Sequence, residues 1–338
     1  MPGYAKYCDS WLAIAETKAF ARWVARKLPN CDTYIGISGS GLCAGRVAQS
    51  RGAGYIMDRG STHARHAAQV LEEEHLRWKL PWRPTSPWLI ENEEKEALEA
   101  NLITVPSHFV KKTFIECGVD QKKVRVVPYG VALHEFYRVG RPPSDVFRLL
   151  FVGQFSVRKG APYLLNAFRA FRHPRKELIV VGIVTAEMKP MITAVRDLNI
   201  TFVGPVPRSR VKEFMSSAHA LVLPSIEEGL ALVQAQAMAC GCPVIATPNT
   251  GSETLFRNGR EGLIVEARNE SMLTEAFARM SDEPKLRETM SVASMARVQA
   301  FGGWTKYAND IVAVAAEAKQ IAGNRYSRVG GQANDIGA

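Results

Sequence analysis

The feature that most constrains this chain is the run from Ala220 to Ala246, ALVLPSIEEGLALVQAQAMACGCPVIA. Ala220–Leu223 is apolar throughout and stops at Pro224, the pattern of a short strand covered on both faces. Ser225-Ile226-Glu227-Glu228-Gly229 then makes a tight acidic loop. Leu230 to Cys240 has helical spacing and good helix formers, Gly241 and Pro243 end that helix, and Val244-Ile245-Ala246 starts the next buried strand. The unit is strand, acidic loop, helix, strand. It sets two carboxylates at the carboxyl edge of a parallel sheet, where open α/β folds bind their ligands.

The flanking sequence repeats that alternation. Phe147–Gly153 reads as a strand, Gln154 to Gly160 as a loop, and the segment up to Phe171 as a helix. Leu178–Ile183 and Ile200–Val203 read as further strands. Regular strand–helix alternation from 147 to 300 predicts a parallel, doubly wound domain. Lys159-Gly160 at a helix start, beside Arg158, suits a diphosphate: the amides and dipole attract the anion and the side chains add full charge.

The first part of the chain is less regular. Residues 10–28 form an amphipathic helix with Trp11, Ile14, Phe20, Trp23, Val24 and Leu28 as its bulk. Core packing is the first reading and a membrane-surface helix the second. Tyr34–Ile37 is a strand entering the turn Ser38–Gly45. The glycines at 39, 41 and 45 lack the dinucleotide fingerprint spacing, so a tight strand–helix turn fits better than a phosphate cradle. Tyr55–Asp58 is another strand and runs into Arg59-Gly60-Ser61-Thr62-His63. That cluster is either site-like or a solvated helix cap with Ser61 or Thr62 at the N-cap. Glu72-Glu73-Glu74 follow on the helix. Then come an acidic helix (91–100), a strand (Leu102–Val105), a helix ending near Gly118 and a strand at Val124–Val127. Residues 133–146 have linker composition. A helix from Trp304 to Ala322 follows the second domain, and 323–338 is polar and Gly-rich, which predicts disorder.

The segment Pro224-Ser225, Glu228-Gly229, Ala237-Met238-Ala239, Gly241, Pro243-Val244 resembles the signature of family 4 retaining glycosyltransferases, which use nucleotide sugars and have the GT-B fold. The resemblance implies two Rossmann-like parallel-sheet domains facing across a cleft. It also implies domain bounds of 1–140 for the acceptor side and 147–303 for the donor side, with a crossover helix at 304–322 and a tail at 323–338. The first domain is shorter than the family's, because its opening strand and Gly-rich loop are missing, so it is incomplete or small. In the resemblance Glu228 is catalytic, and His63 and Arg59 are candidate catalytic groups. Ser156, Arg158 and Lys159 hold the diphosphate, and Pro205 and Val206 receive the base. Thr250, Gly251, Ser252 and Glu253 form a second phosphate-contacting loop. Two departures stand out: Gln236 replaces the second Glu, which accepts from ribose, and Gln154 replaces an expected Arg. Gln236 keeps one carbonyl acceptor but loses the charge.

The resemblance thus implies sugar transfer from a UDP or GDP sugar to a polysaccharide or lipid-linked acceptor, with no cofactor and no metal. Gln236 and Gln154 leave an alternative: a nucleotide-sugar-binding protein without turnover. A dinucleotide-dependent oxidoreductase lacks any fingerprint. Composition agrees with a globular protein, at 46% hydrophobic and 22% charged residues over 338. No apolar run approaches the roughly 20 residues that span a bilayer, and no secretory signal is visible at the start, so a cytoplasmic enzyme is expected. A net charge of +10 suits anionic donors, lipid-linked acceptors or peripheral association with the inner membrane face. No nucleic-acid motif accompanies it. The six cysteines are scattered, and Cys240-Gly-Cys242 has no partner pair for zinc.

Overall fold

The computed structural model describes residues 11–333. Two parallel sheets carry the chain. The first has four strands in sequence order: β1 (Thr33–Ile37), β2 (Gly54–Asp58), β3 (Leu102–Val105) and β4 (Val124–Val126). Helices connect them: α1 (Trp11–Lys27) precedes β1, α2 (Leu42–Ser50) joins β1 to β2, α3 (Ala64–Arg77) and α4 (Pro87–Glu99) lie between β2 and β3, and α5 (His108–Glu116) follows β3. The sequence places α1 and β1 within a residue of these bounds, but the expected turn Ser38–Gly45 is shorter, because α2 already starts at Leu42.

The second sheet has six strands. These are β5 (Phe147–Val152), β6 (Lys176–Val181), β7 (Ile200–Gly204), β8 (Ala220–Leu223), β9 (Val244–Ala246) and β10 (Gly262–Ile264). They lie in the order β10-β9-β8-β5-β6-β7, all parallel. Strand order reverses between β5 and β8, which makes a doubly wound domain with its ligand-binding switch point there. The helices are α6 (Ala161–Ala170), the short α7 (Lys189–Thr193), α8 (Arg208–Ser216), α9 (Leu232–Ala239), α10 (Ser252–Leu255), α11 (Glu270–Asp282) and α12 (Pro284–Phe301). Central strands β8 and β9 are buried at every position, as an apolar run without alternation requires. Leu149, Phe151, Leu164, Phe168, Val222 and Ile245 belong to the large core around this sheet. Residues 133–145 form no helix or strand, but Phe136 enters that core. Val139 N–H donates to Ser216 Oγ at 3.0 Å, so the linker lies along the second domain.

The last helix, α13 (Trp304–Ala333), returns to the first domain. Val314 and Ala318 are buried against Ile56, Leu102 and Val127, and Thr33 Oγ1 donates to Ala315 O at 2.9 Å. The expected disordered tail from Gly323 needs correction, because the helix runs on through Ala333. Val314, Ala318 and Ala322 form one buried stripe that anchors the helix, and propagating a nucleated helix costs little even through polar residues. Residues 334–338 of that expected tail lie outside the described residues.

Packing of α13 on β2 leaves no room at Gly54. A Cβ there would stand 2.7 Å from the Ala318 carbonyl carbon and 2.8 Å from Lys319 N, both backbone atoms. Gly54→Ala is expected to cost about 1–3 kcal/mol by overpacking, read as a lower Tm in thermal unfolding. An unchanged Tm would show that the helix does not bear on the sheet in solution.

Candidate functional site

The loops leaving β5 and β8 meet at the switch point, and glycine makes their contact possible. Gly160 has φ +70°, and a Cβ on it would lie 1.9 Å from Pro224 O. Ile226 N–H donates to Arg158 O at 2.9 Å, tying the two loops together. This brings Arg158 and Lys159 up against Glu227 and Glu228. The Lys159 ammonium pairs with the Glu228 carboxylate, and both side chains are largely buried. Arg158 Nη1 lies 3.2 Å from Glu227 Oε2 and 3.6 Å from Glu228 Oε1. Burial, then the charge of Arg158, pushes the Lys159 ammonium down to about 7, against the opposing pull of Glu227.

The two adjacent acids have different surroundings. Glu228 stays with the two cations, whereas Glu227 turns to the first domain. Its Oε1 accepts from Ser61 Oγ at 2.7 Å, Thr62 Oγ1 at 2.6 Å and Thr62 N–H at 3.4 Å. Burial opposes its ionisation, but Arg158 and the hydroxyls of Thr62 and Ser61 outweigh it and hold the carboxyl below the usual range. Next to it, a Cβ on Gly229 would lie 1.8 Å from Gly60 O. Ser107 Oγ donates to Gly229 O at 2.7 Å, and His108 N–H donates to Thr254 Oγ1 at 3.0 Å. The domains therefore close on each other at backbone distance around Gly60 and Gly229.

A second interdomain contact lies further along α3. Buried Glu74 accepts from Tyr163 Oη at 2.8 Å and pairs with Arg268, which also reaches Glu73 at 3.2 Å. Two acids of the run, Glu73 and Glu74, thus face the second domain.

The other expected site residues divide. Ser156 is buried and its Oγ accepts from Lys159 N–H at 3.4 Å, so it shapes the cation loop. Thr250 Oγ1 donates to Thr247 O at 2.7 Å, with Gln234 Oε1 3.1 Å away, and Ser252 Oγ donates to Thr247 O at 2.9 Å. Both side chains hold the loop after β9 in shape. Gly251, at φ +72°, packs against Ser107 and Gly229, and Glu253 is exposed. Pro205 and Val206 follow β7, two strands from β5, hence about 10 Å away; Pro205 is exposed and Val206 packs on the core. Gln236 is half-buried and has no side-chain hydrogen bond among the described residues. Helix α9 starts at Leu232, later than expected, because Leu230 and Ala231 belong to the turn in which Ala231 N–H donates to Thr250 O.

One first-domain expectation is corrected, and the two candidate catalytic groups are placed. Neither Ser61 nor Thr62 caps α3: the N-cap is His63, whose ring accepts from Arg65 N–H at 3.3 Å. His63 is fully buried edge-on to Phe114, burial lowers its pKa against the opposing Glu93, and it touches neither Glu227 nor Glu228. Arg59 is also turned inward. It donates to Thr62 O at 3.0 and 2.7 Å and pairs with Glu93 at 2.6 Å, bracing the turn that presents Ser61 and Thr62. The tight-turn reading of Ser38–Gly45 gains a physical basis, because Glu96 accepts from the N–H groups of Gly39, Gly41 and Leu42 at 2.7, 2.9 and 3.1 Å. An internal carboxylate, raised by burial to about 6, fills the amide nest that a phosphate would need. Gln234, Tyr163 and Arg268 carry no motif signal, and sequence reading misses them.

Residues 135–296 match the family described as Glycosyl transferases group 1. Among curated proteins, the D-inositol 3-phosphate glycosyltransferase of Pseudarthrobacter chlorophenolicus is 28% identical over 237 residues, covering 65% of this chain and 53% of that protein. The enzyme of the same description from Streptomyces bingchenggensis is 31% identical over 277 residues, covering 75% and 56%. The chain spans about half the length of these relatives. Among solved structures, sucrose-phosphate synthase from Thermosynechococcus elongatus aligns with TM-score 0.71 at 23% identity, covering 89% of this chain and 77% of that one. Anabaena HepE in complex with UDP aligns with TM-score 0.70 at 15% identity, covering 89% and 82%. The chain has the GT-B architecture of two parallel-sheet α/β domains, and its residues 135–296 are supported as a domain of the glycosyl transferases group 1 family.

Proposed function

We propose that the chain is a retaining glycosyltransferase that moves a hexosyl-type sugar from a UDP or GDP donor to a polysaccharide or lipid-linked acceptor without a metal. The observation that carries this reading is the cluster of Lys159, Arg158 and Glu228 at the topological switch point. Departure of a nucleoside diphosphate develops negative charge, and two fixed cations in a partly dry cleft stabilise that charge without rearranging. In the ligand-free protein Glu228 occupies Lys159. A donor diphosphate would take over the ammonium and leave the Glu228 carboxylate free to accept from sugar hydroxyls. Gln236 would accept one ribose hydroxyl. Its lost charge is the feature that favours the second reading, nucleotide-sugar binding without turnover; turnover separates the two.

The helix α1 adds a partner surface to the proposal. Its exposed side carries Trp11, Leu12, Phe20 and Trp23 beside Lys18, Arg22, Arg26 and Lys27, the composition of a helix that lies on an anionic bilayer. No described helix is long and apolar enough to cross a membrane. Peripheral association through α1 would hold the cleft near a lipid-linked acceptor.

Three outcomes are expected. Lys159→Ala weakens UDP binding about 10- to 100-fold in calorimetry, the value of a charge-assisted contact. Glu228→Ala binds UDP within a few-fold of wild type but loses transfer, and EDTA leaves wild-type transfer unchanged; wild-type turnover in both variants rejects the assignment.

Gln236→Glu binds UDP or GDP as well as wild type or several-fold tighter, because a carboxylate accepts from both ribose hydroxyls, a gain of roughly 1 kcal/mol. A clear loss of affinity would remove Gln236 from the ribose site.

The protein co-sediments with vesicles of phosphatidylglycerol and phosphatidylcholine, and Trp11→Ser with Trp23→Ser reduces that fraction. Equal binding of wild type and double variant would take α1 out of the membrane contact.

A further inference from the structure

Glu227 lies beside the proposed donor cluster but belongs to neither the cations nor the sugar-facing acid. Its oxygens serve two domains. Oε1 takes three donors from the turn before α3, from Ser61 Oγ, Thr62 Oγ1 and Thr62 N–H. Oε2 lies 3.2 Å from Arg158 Nη1, and the backbone carbonyl of Glu227 accepts from the same guanidinium nitrogen at 3.1 Å. Arg158 is in turn shared with Glu228 at 3.6 Å. Two carboxylates therefore compete for one guanidinium, and the first domain influences the outcome.

We propose that Glu227 is a positioning residue that ties closure of the two domains to the placement of the donor-site cation Arg158. This rests on the nucleotide-sugar reading of the cluster and goes beyond it. With the domains closed, the hydroxyls of Ser61 and Thr62 satisfy Oε1, and Arg158 is held by Oε2 and the Glu227 carbonyl within reach of Glu228. With the domains apart, water replaces those donors at Oε1, and the carboxylate is free to turn and take Arg158 on both oxygens, away from Glu228. Water satisfies the carboxylate without fixing its direction, whereas the two hydroxyls and the Thr62 amide do fix it, so only the closed arrangement holds Arg158 between the two acids. The device needs the close approach of Gly60 to Gly229, where any side chain on residue 229 would strike the Gly60 carbonyl. It also needs a rigid turn at Ser61 and Thr62, which Arg59 supplies through Thr62 O and Glu93.

The experiment alters the first domain and reads the second. Ser61→Ala with Thr62→Val removes both hydroxyls without touching Lys159, Arg158 or Glu228, and Thr62→Ser keeps a hydroxyl. Calorimetry with UDP and with GDP, and amide hydrogen exchange of the ligand-free proteins, are measured for all three. The expected result is faster exchange across 225–229 in the Ser61→Ala/Thr62→Val protein. Nucleotide affinity should fall there within the usual range of site-to-site coupling, about 5- to 150-fold, with wild-type behaviour for Thr62→Ser. A purely structural role would lower the Tm of the double variant and leave its nucleotide Kd unchanged, and that result overturns the proposal. Unchanged exchange across 225–229 overturns it as well. If the wild type binds neither nucleotide, the donor reading fails by itself, and the exchange data alone decide whether Glu227 responds to the first domain. Glu227→Gln gives a second variant of equal shape, which keeps one acceptor for the hydroxyls and loses the pull on Arg158. Its nucleotide affinity is expected to differ from wild type, and equality would count against the coupling.

Discussion

A carboxylate taken out of water stays charged only if its surroundings supply donors and positive charge. Glu227 is such a group, and its donors come from a different domain than its own backbone. Much of the site's geometry follows from that requirement. Ser61 and Thr62 have to reach across the cleft, so the turn that carries them is short and braced by Arg59. The backbones have to approach closely, so residue 229 is glycine: a Cβ there would lie 1.8 Å from Gly60 O. The guanidinium of Arg158 has to sit between two acids, so the loops after β5 and β8 are pressed together where Gly160 meets Pro224. Losing Gly160 or Gly229 would set a Cβ within 1.9 Å of a carbonyl oxygen on the facing loop.

The elements of both domains were largely legible in the sequence, but the partners of the first domain's side chains were not, for a physical reason. Strands β8 and β9, the loop between β8 and α9, and the Lys159-Gly160 turn are local objects. Their apolar runs, prolines and glycines specify them within a window of a few residues. The strand order, with β5 next to β8, follows from ordinary doubly wound connectivity once those units are recognised. The division of labour between Glu227 and Glu228 is different. The two residues are adjacent and chemically identical, and what distinguishes them is a pair of hydroxyls 165 and 166 positions away. No spacing rule within the loop can carry that information.

Misreading of the first domain has the same origin. Arg59, Ser61, Thr62 and His63 form a polar cluster after a strand, which composition alone presents as a site. Side-chain direction separates them: the hydroxyls face the second domain, while Arg59 and His63 turn inward to Glu93 and Phe114. The Gly-rich turn after β1 was read as structural because its spacing departs from a fingerprint. The stronger reason is invisible in that window, since the carboxylate that fills the amide nest, Glu96, comes from α4.

Helix α3 gathers these observations into one mechanical element. Its leading turn supplies Ser61 and Thr62 to Glu227, and three turns later Glu73 and Glu74 hold Arg268 and Tyr163. Both contacts cross to the second domain. A helix anchored at two points along its length fixes orientation as well as distance, which one contact cannot do. The two anchors differ in kind. Glu74 is fully buried and is held by Arg268 and Tyr163. Glu227 stands one residue from Glu228 and shares its cation, so it cannot change without altering the donor cluster. Any rotation of the two domains about the Glu74 contact would carry the Ser61–Thr62 end of α3 furthest. A pivot at one end of a rigid helix amplifies small movements into hydrogen-bond-breaking ones at the other, and that end is where the cations are.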